Sequence, residues 1–299
     1  MAGMLTYTAA PAFWPVSSNR GSNGGVFRVK LSASISPPPN FKAPSPKPFS
    51  IRPDRVFDIM GASLALLFRL TTSVLVSGYS VNLVPASEIP PDQYALGFAG
   101  FKLKETSKLG PRPEKPIEIY EFEGCPFCRK VREIVAVLDL DVLYYPCPRN
   151  GPNFRPKVSQ MGGKQLFPYM VDPNTGVSMY ESDDIIKYLV GNYGDGTVPL
   201  LLSLGLLTGS LYTPSKLPPK PLEIWAYEAS PFCKVVREVL VELELPHILH
   251  SCARGSPKRQ ILFERVGHFQ VPYLEDPNTG VGMFESAEIV DYLKATYAL

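Results

Sequence analysis

The first 53 residues contain no Asp and no Glu, while six basic residues (Arg20, Arg28, Lys30, Lys42, Lys47, Arg52) and eight serines fall there. Pro37-Pro38-Pro39 and Pro44-Ser45-Pro46 break any helix. An acid-poor, Ser-rich, basic leader is the composition of an organelle transit peptide, and the amphipathic Arg-rich helix of a mitochondrial presequence is weak. Residues 1–53 therefore read as a chloroplast (stroma) transit peptide or a disordered tail, outside the fold. Charge is scarce in two other places. Arg69 is the only charge between Ile59 and Ser87, and residues 196–215 carry none. A membrane span needs about 20 largely apolar residues. Arg69 with Thr71, Thr72 and Ser73 interrupts the first stretch, and Pro199, Gly205 and Gly209 shorten the second. Both read as helices packed on soluble domains, with membrane association not favoured. Five cysteines, an odd number, argue against a secreted disulfide framework and for free thiols. Three histidines, His247, His250 and His268, show no ligand spacing with cysteine, so no metal site is expected and they read as surface or interface residues. A net charge of +2 without a basic, aromatic-laced patch gives no reason to expect nucleic acid.

What is present centres on Glu123-Gly124-Cys125-Pro126-Phe127-Cys128. It follows a strand-like run (117–122) and opens a helix whose apolar face is Phe127, Val131, Ile134, Val135 and Leu138. Pro126 suits the first helical position, which puts Cys125 at the N-cap. The free N–H groups and partial positive charge there favour a thiolate and lower its pKa. Cys128 lies near enough to resolve a mixed disulfide. Half of a zinc site is the competing reading, but no second pair accompanies it.

The chain then repeats. Pro116-Ile117-Glu118-Ile119-Tyr120 returns as Pro221-Leu222-Glu223-Ile224-Trp225, and Cys125-Pro126-Phe127-Cys128 as Ser230-Pro231-Phe232-Cys233. Phe167-Pro168-Tyr169 returns as Val271-Pro272-Tyr273, Asp172-Pro173-Asn174-Thr175-Gly176 as Asp276-Pro277-Asn278-Thr279-Gly280, and Glu181-Ser182 as Glu285-Ser286. The period is too long for a solenoid, so each copy is a small domain. In copy one the order is strand 117–122, helix 126–138, strand 142–147 and helix 153–161. A strand ending at Val171 follows, then an Asp-Pro-Asn-Thr-Gly turn onto a strand at 177–180. The turn residues fit because Pro presets φ, and Asn and Gly tolerate positive φ. The last helix starts at Ser182 as N-cap, with Ile185, Ile186 and Leu189 inward. The fold class is α/β: two tandem βαβ–ββα domains, each on its own four-stranded mixed sheet, joined by an apolar helical linker. The boundaries are 54–113 for an apolar helix and Pro-rich linker, 114–195 for domain one, 196–218 for the helical linker and 219–299 for domain two.

Cys-Pro-Phe-Cys at the first helix, a Pro before the third strand and Glu-Ser at the last helix resemble the thioredoxin-like superfamily over about 114–194 and 219–298. The nearest branch resembles glutaredoxins and the N-terminal domain of glutathione transferases, and the whole is similar to tandem proteins of that kind in plastids and cyanobacteria. The resemblance implies a cis Pro at Pro168 and Pro272, with the backbone of Phe167 and Val271 pairing with the cysteinyl part of glutathione. It implies that Glu181-Ser182 and Glu285-Ser286 hold the γ-glutamyl end at a helix N-terminus. Glutathione is thus the expected cofactor, and protein or small-molecule disulfides the expected partners.

Copy two departs at Ser230, whose hydroxyl is not ionised near neutral pH. Cys233 remains as a second-domain thiol, so copy two is expected to bind glutathione or a partner without full redox chemistry. Cys147 and Cys252, at equivalent strand ends, read as small filling residues ahead of extra redox thiols or a metal bridge. The leading expectation is a glutathione-dependent thiol–disulfide oxidoreductase in which Cys125 attacks and Cys128 resolves. Alternatives are a glutathione-binding module that bridges an iron–sulfur cluster or docks partners, and glutathione transferase-like activity. The last lacks the all-helical C-terminal domain that holds apolar substrates.

Overall fold

A computed structural model describes residues 35–47, 49–67, 80–89, 97–106, 109–198, 211–253 and 255–299. Residues from Ile35 to Leu299 form one compact unit. Most of the leader read as a transit peptide, and most of the apolar stretch after residue 196, lie outside the described residues. The segment before copy one holds helix α1 (Val56–Leu67) and strands β1 (Ser80–Pro85), β2 (Gly97–Phe98) and β3 (Phe101–Thr106), in a small antiparallel sheet ordered β1-β3-β2. α1 overlaps the expected apolar helix, and the small sheet stands in the stretch read as linker. Ala99 and Gly100 both take positive φ (50° and 83°), which closes the β2–β3 hairpin in the hand that strand twist favours. An Ala at the first position hides this turn in the sequence.

Copy one runs β4 (Ile117–Glu121), α2 (Pro126–Val137), β5 (Asp141–Pro146), α3 (Phe154–Gly162), β6 (Tyr169–Asp172), β7 (Val177–Met179) and α4 (Ser182–Tyr193). Copy two repeats the order as β8 (Leu222–Ala226), α5 (Pro231–Glu242), β9 (His247–Ser251), α6 (Lys258–Val266), β10 (Tyr273–Asp276), β11 (Val281–Met283) and α7 (Ser286–Tyr297). β4–β5 and β8–β9 are parallel and the remaining pairs within each copy antiparallel, as βαβ–ββα requires.

Each copy supplies the expected four strands in mixed pairing, and the two sets join at one edge. One eight-stranded sheet runs β11-β10-β8-β9-β5-β4-β6-β7. The seam is antiparallel β5–β9, with Asp141 opposite His250 and Tyr144 opposite His247. β5 and β9 are the outer strands of their own copies, and pairing them satisfies two rows of otherwise open backbone groups. The Leu-rich part of the linker, 200–207, lies outside the described residues; residues 211–218 are extended, with bridges from Leu211 to Arg149 and from Ser215 to Ala298.

A single apolar core spans both copies, from Ile117, Ile134 and Leu189 to Leu240, Ile289 and Tyr297. Copy two closes over the outer face of α2, so every residue from Cys128 to Val137 except Lys130 is buried. Charges enclosed between the copies are paired. Arg132 meets Glu121, Glu123 at 3.2 Å and Glu228 at 3.4 Å, and Arg237 meets Glu123 and Glu228 at 3.3 Å each. Leaving a buried charge of this set without any partner costs about 3–5 kcal/mol.

The repeated Asp-Pro-Asn-Thr-Gly does more than turn. Asp172 Oδ2 accepts from the Tyr188 hydroxyl at 2.8 Å and the Tyr193 hydroxyl at 2.5 Å, tying the hairpin to α4. Asp276 does the same with Tyr292 (2.6 Å) and Tyr297 (2.7 Å). Only the glycines, Gly176 and Gly280, take positive φ, at 75° each. Asn174 instead brackets the main chain of Lys115, accepting its N–H and donating to its carbonyl at 2.9 Å each.

Candidate functional site

The turn after β4 delivers Cys125 to the N-cap of α2 with extended backbone (φ −82°, ψ 120°) and Pro126 at the first helical position. Its sulfur accepts the Cys128 N–H at 3.3 Å and lies 3.8 Å from the Phe167 carbonyl oxygen. The sequence-separated halves of the expected site, the cysteine pair and Phe167-Pro168, thus meet. The Phe167–Pro168 and Val271–Pro272 peptide bonds are cis. The Glu181-Ser182 end of α4 belongs to the same side of the copy: α4 packs along α2, and Lys130 on α2 reaches Asp183 at 3.3 Å. The helix starts at Ser182 as read, but its cap falls one position earlier. Glu181, at φ 64°, occupies the cap position and Ser182 is the first helical residue, its side chain buried.

The two thiols are set apart electrostatically. The Cys125 thiol is brought down to about 7, chiefly by its hydrogen bond with Cys128; burial opposes this, and backbone N–H groups and Arg132 assist. Burial pushes Cys128 well above the ordinary range, with Cys125 and Glu121 adding to it. Cys125 is only 3% exposed. Backbone donors therefore replace water in supporting the thiolate, and a large disulfide reaches it only when neighbours move aside. Phe127, one turn along the helix mouth, is 56% exposed.

Two arginines complete the surroundings, and sequence reasoning missed both. Arg132 looks like a surface residue of an amphipathic helix, yet it is buried on three glutamates. Arg155 on α3 donates to the Pro148 carbonyl at 2.6 Å and stacks over the rings of Phe167 (4.7 Å) and Phe122 (5.5 Å). Nothing in its sequence neighbourhood marks it, because the contact joins segments far apart along the chain.

Copy two has the same geometry with oxygen for sulfur. Ser230 caps α5, its hydroxyl accepting the Cys233 N–H at 3.3 Å. Cys233 is fully buried and its thiol is raised by that burial. Glu285, the counterpart of Glu181, already accepts from Gln270 Nε2 at 2.8 Å and from the Lys47 backbone N–H at 2.5 Å. Ser286 opens α7 as Ser182 opens α4.

Cys147 and Cys252 are fully buried, their N–H groups bonded to the Glu121 and Ala226 carbonyls, and burial raises both thiols. All five cysteines are free. Among the described residues, no group of three or more His, Cys, Asp or Glu side chains is placed to hold a metal ion. His247 stacks on Tyr144 across the seam, and burial lowers its pKa to about 4. Burial also works against a charged His250, but bonds to Asp141 of copy one and Glu223 of copy two lift it to about 8. No helix of the described residues is long and apolar enough to cross a membrane.

Fold and site together define a tandem thioredoxin-like protein with one Cys-x-x-Cys at a helix N-terminus. The family described as glutathione S-transferase, N-terminal domain, matches twice, over residues 119–199 and 225–299, and the chain belongs to it. No curated protein matches the chain. Among solved structures it is similar to a glutathione transferase of Bombyx mori, BmGSTD1, at 33% identity over 28% of this chain and 38% of that one (TM-score 0.26), a protein also solved in complex with GTT. It is similar too to a delta-class glutathione transferase of Nilaparvata lugens, at 25% identity over 26% of this chain and 37% of that one (TM-score 0.22). The chain therefore spans under two-fifths of each.

Proposed function

We propose that copy one is a glutathione-dependent thiol–disulfide oxidoreductase of the glutaredoxin type. The observation that carries this is the Cys125 sulfur on the Cys128 N–H, beside the Phe167 carbonyl and brought down to about 7. The thiolate attacks the glutathionyl sulfur of a mixed disulfide, forming the Cys125–glutathione disulfide and expelling the other thiolate, which takes a proton from water. A second glutathione thiolate then attacks that glutathionyl sulfur, yielding oxidised glutathione and free Cys125. The alternative exit, attack by Cys128, is slow because burial holds that thiol protonated. A small glutathionyl disulfide suits the buried Cys125 better than a bulky protein one. Phe167-Pro168 and Glu181-Ser182 are the groups expected to position glutathione.

The test is turnover of a small glutathionyl disulfide, with glutathione and glutathione reductase. Cys125→Ser is expected to abolish it and Cys128→Ser to retain most of it. Undiminished turnover in Cys125→Ser would overturn the proposal.

A further inference from the structure

The two Glu-Ser corners are not equally free. Glu181 is exposed, with no side-chain partner among the described residues, whereas Glu285 is half-buried and bonded to the Lys47 N–H. That bond is one point of a longer attachment. Phe41 lies against the Tyr292 ring of α7 at 5.1 Å, and Ile35 and Phe41 both pack on the core. Arg52 pairs with Glu288 at 3.5 Å and Asp291 at 2.7 Å, and Arg55 with Asp291 at 2.8 Å. α1 then packs on α5, burying Ile59 and Ala62. The acidic pair on α7 is specific to copy two. The position of Asp291 is Lys187 in copy one, which lies 3.6 Å from Asp184 of its own helix. Asp184 keeps an acid at the position of Glu288, but the carboxylate that Arg52 and Arg55 share is replaced there by a like charge.

We infer that residues 41–55 are the built-in occupant of copy two's cradle, so that the chain takes one glutathione, in copy one. The acceptor that the resemblance assigns to the γ-glutamyl end is in copy two already bonded to a main-chain N–H of the same polypeptide. Ser230 removes the thiol from that corner as well. The inference rests on the reading that a Glu-Ser and cis-Pro corner takes glutathione.

Calorimetric titration of the full chain with reduced glutathione under anaerobic conditions, alongside hydrogen exchange of the Phe41, Lys47, Ser50 and Arg55 amides, which are hydrogen-bonded, tests it. Wild type is expected to bind one equivalent with those amides protected. Arg52→Glu/Arg55→Glu is expected to speed their exchange and raise binding to two equivalents. Asp291→Lys, which copies the residue of copy one, should do the same without altering the strap. Two equivalents in wild type would overturn the inference, as would a released strap with no added equivalent, or unchanged exchange in both variants. Should copy one take no glutathione, a rise from none to one on release still upholds the occupant, and none in every protein overturns it.

Discussion

The two copies share strand order, cis prolines, Asp-centred hairpins and helix caps that differ by one atom type, yet their chemistry diverges. In copy one a sulfur caps the helix, accepting the Cys128 N–H, and its pKa falls to about 7, chiefly through its bond with the Cys128 side chain. In copy two the same corner carries a hydroxyl that accepts the same bond at the same 3.3 Å and stays protonated. Either atom accepts the cap bond, so the fold survives the exchange while the ionisable thiol is lost. The copies also differ in what surrounds them. Copy two is covered by the segment before copy one, through α1 on α5 and Arg52 and Arg55 on α7. Copy one has its first helix buried by copy two instead.

The sharpest way to break this comparison is to move the sulfur. In a Cys125→Ser/Ser230→Cys protein, the new thiol is expected to be alkylated by iodoacetamide with a lowered pKa, because it inherits the cap. Turnover of the glutathionyl disulfide should stay at background, because Lys47 occupies Glu285. Restored turnover would mean that the copies differ only in that atom.

Next in size is the ion set between the copies. Arg132→Met leaves Glu121, Glu123 and Glu228 short of a cation and is expected to cost about 3–5 kcal/mol in urea unfolding. Arg237→Met should cost less, about 1–3 kcal/mol, because Glu123 and Glu228 keep Arg132 and copy two has Ala226 where copy one has Glu121. Equal losses would argue against the asymmetry. Asp172→Ala and Asp276→Ala should each lose about 1–3 kcal/mol and resemble one another, since both strand two tyrosine hydroxyls.

Smaller effects follow from pH. Thiolate at Cys125 forms as pH rises through about 7, so its alkylation in the reduced wild-type protein should show a midpoint there, moved upward in Cys128→Ala, with a slow limiting rate because Cys125 is 3% exposed. His250 has a folded pKa of about 8 against an ordinary 6.5. Its contribution, about 1–2 kcal/mol, is fully present below 6.5 and is lost as pH rises through about 8. Unfolding midpoints measured between pH 6 and 9 should fall across that window, and His250→Gln should flatten the fall.

Much was legible in the sequence, and for identifiable reasons. Strand and helix order followed from apolar periodicity. Cys125 at the N-cap followed from Pro126 behind it, whereas the pairing of Cys-x-x-Cys with Phe167-Pro168 was implied only by the thioredoxin-like resemblance. Residues 1–53 were set aside as one piece, but composition could not show that residues 35–53 lie against copy two, since Phe41 and Arg52 gain partners only from α7. Arg132 and Glu133 occupy positions that an isolated amphipathic helix would expose, and copy two buries both. β5 and β9 each look like finished edge strands until placed side by side.

By itself, the sequence determined the local matters: two βαβ–ββα units, a thiol at one helix start and a hydroxyl at the other. Those rest on interactions within a few residues, such as caps, turns and the spacing of apolar side chains. The joined sheet, the enclosed charges, the arginine over Phe167 and the occupied corner of copy two were decided only in three dimensions. Each depends on which distant segments share a surface, and burial, which sets the strength of every charge there, belongs to that surface rather than to any stretch of chain.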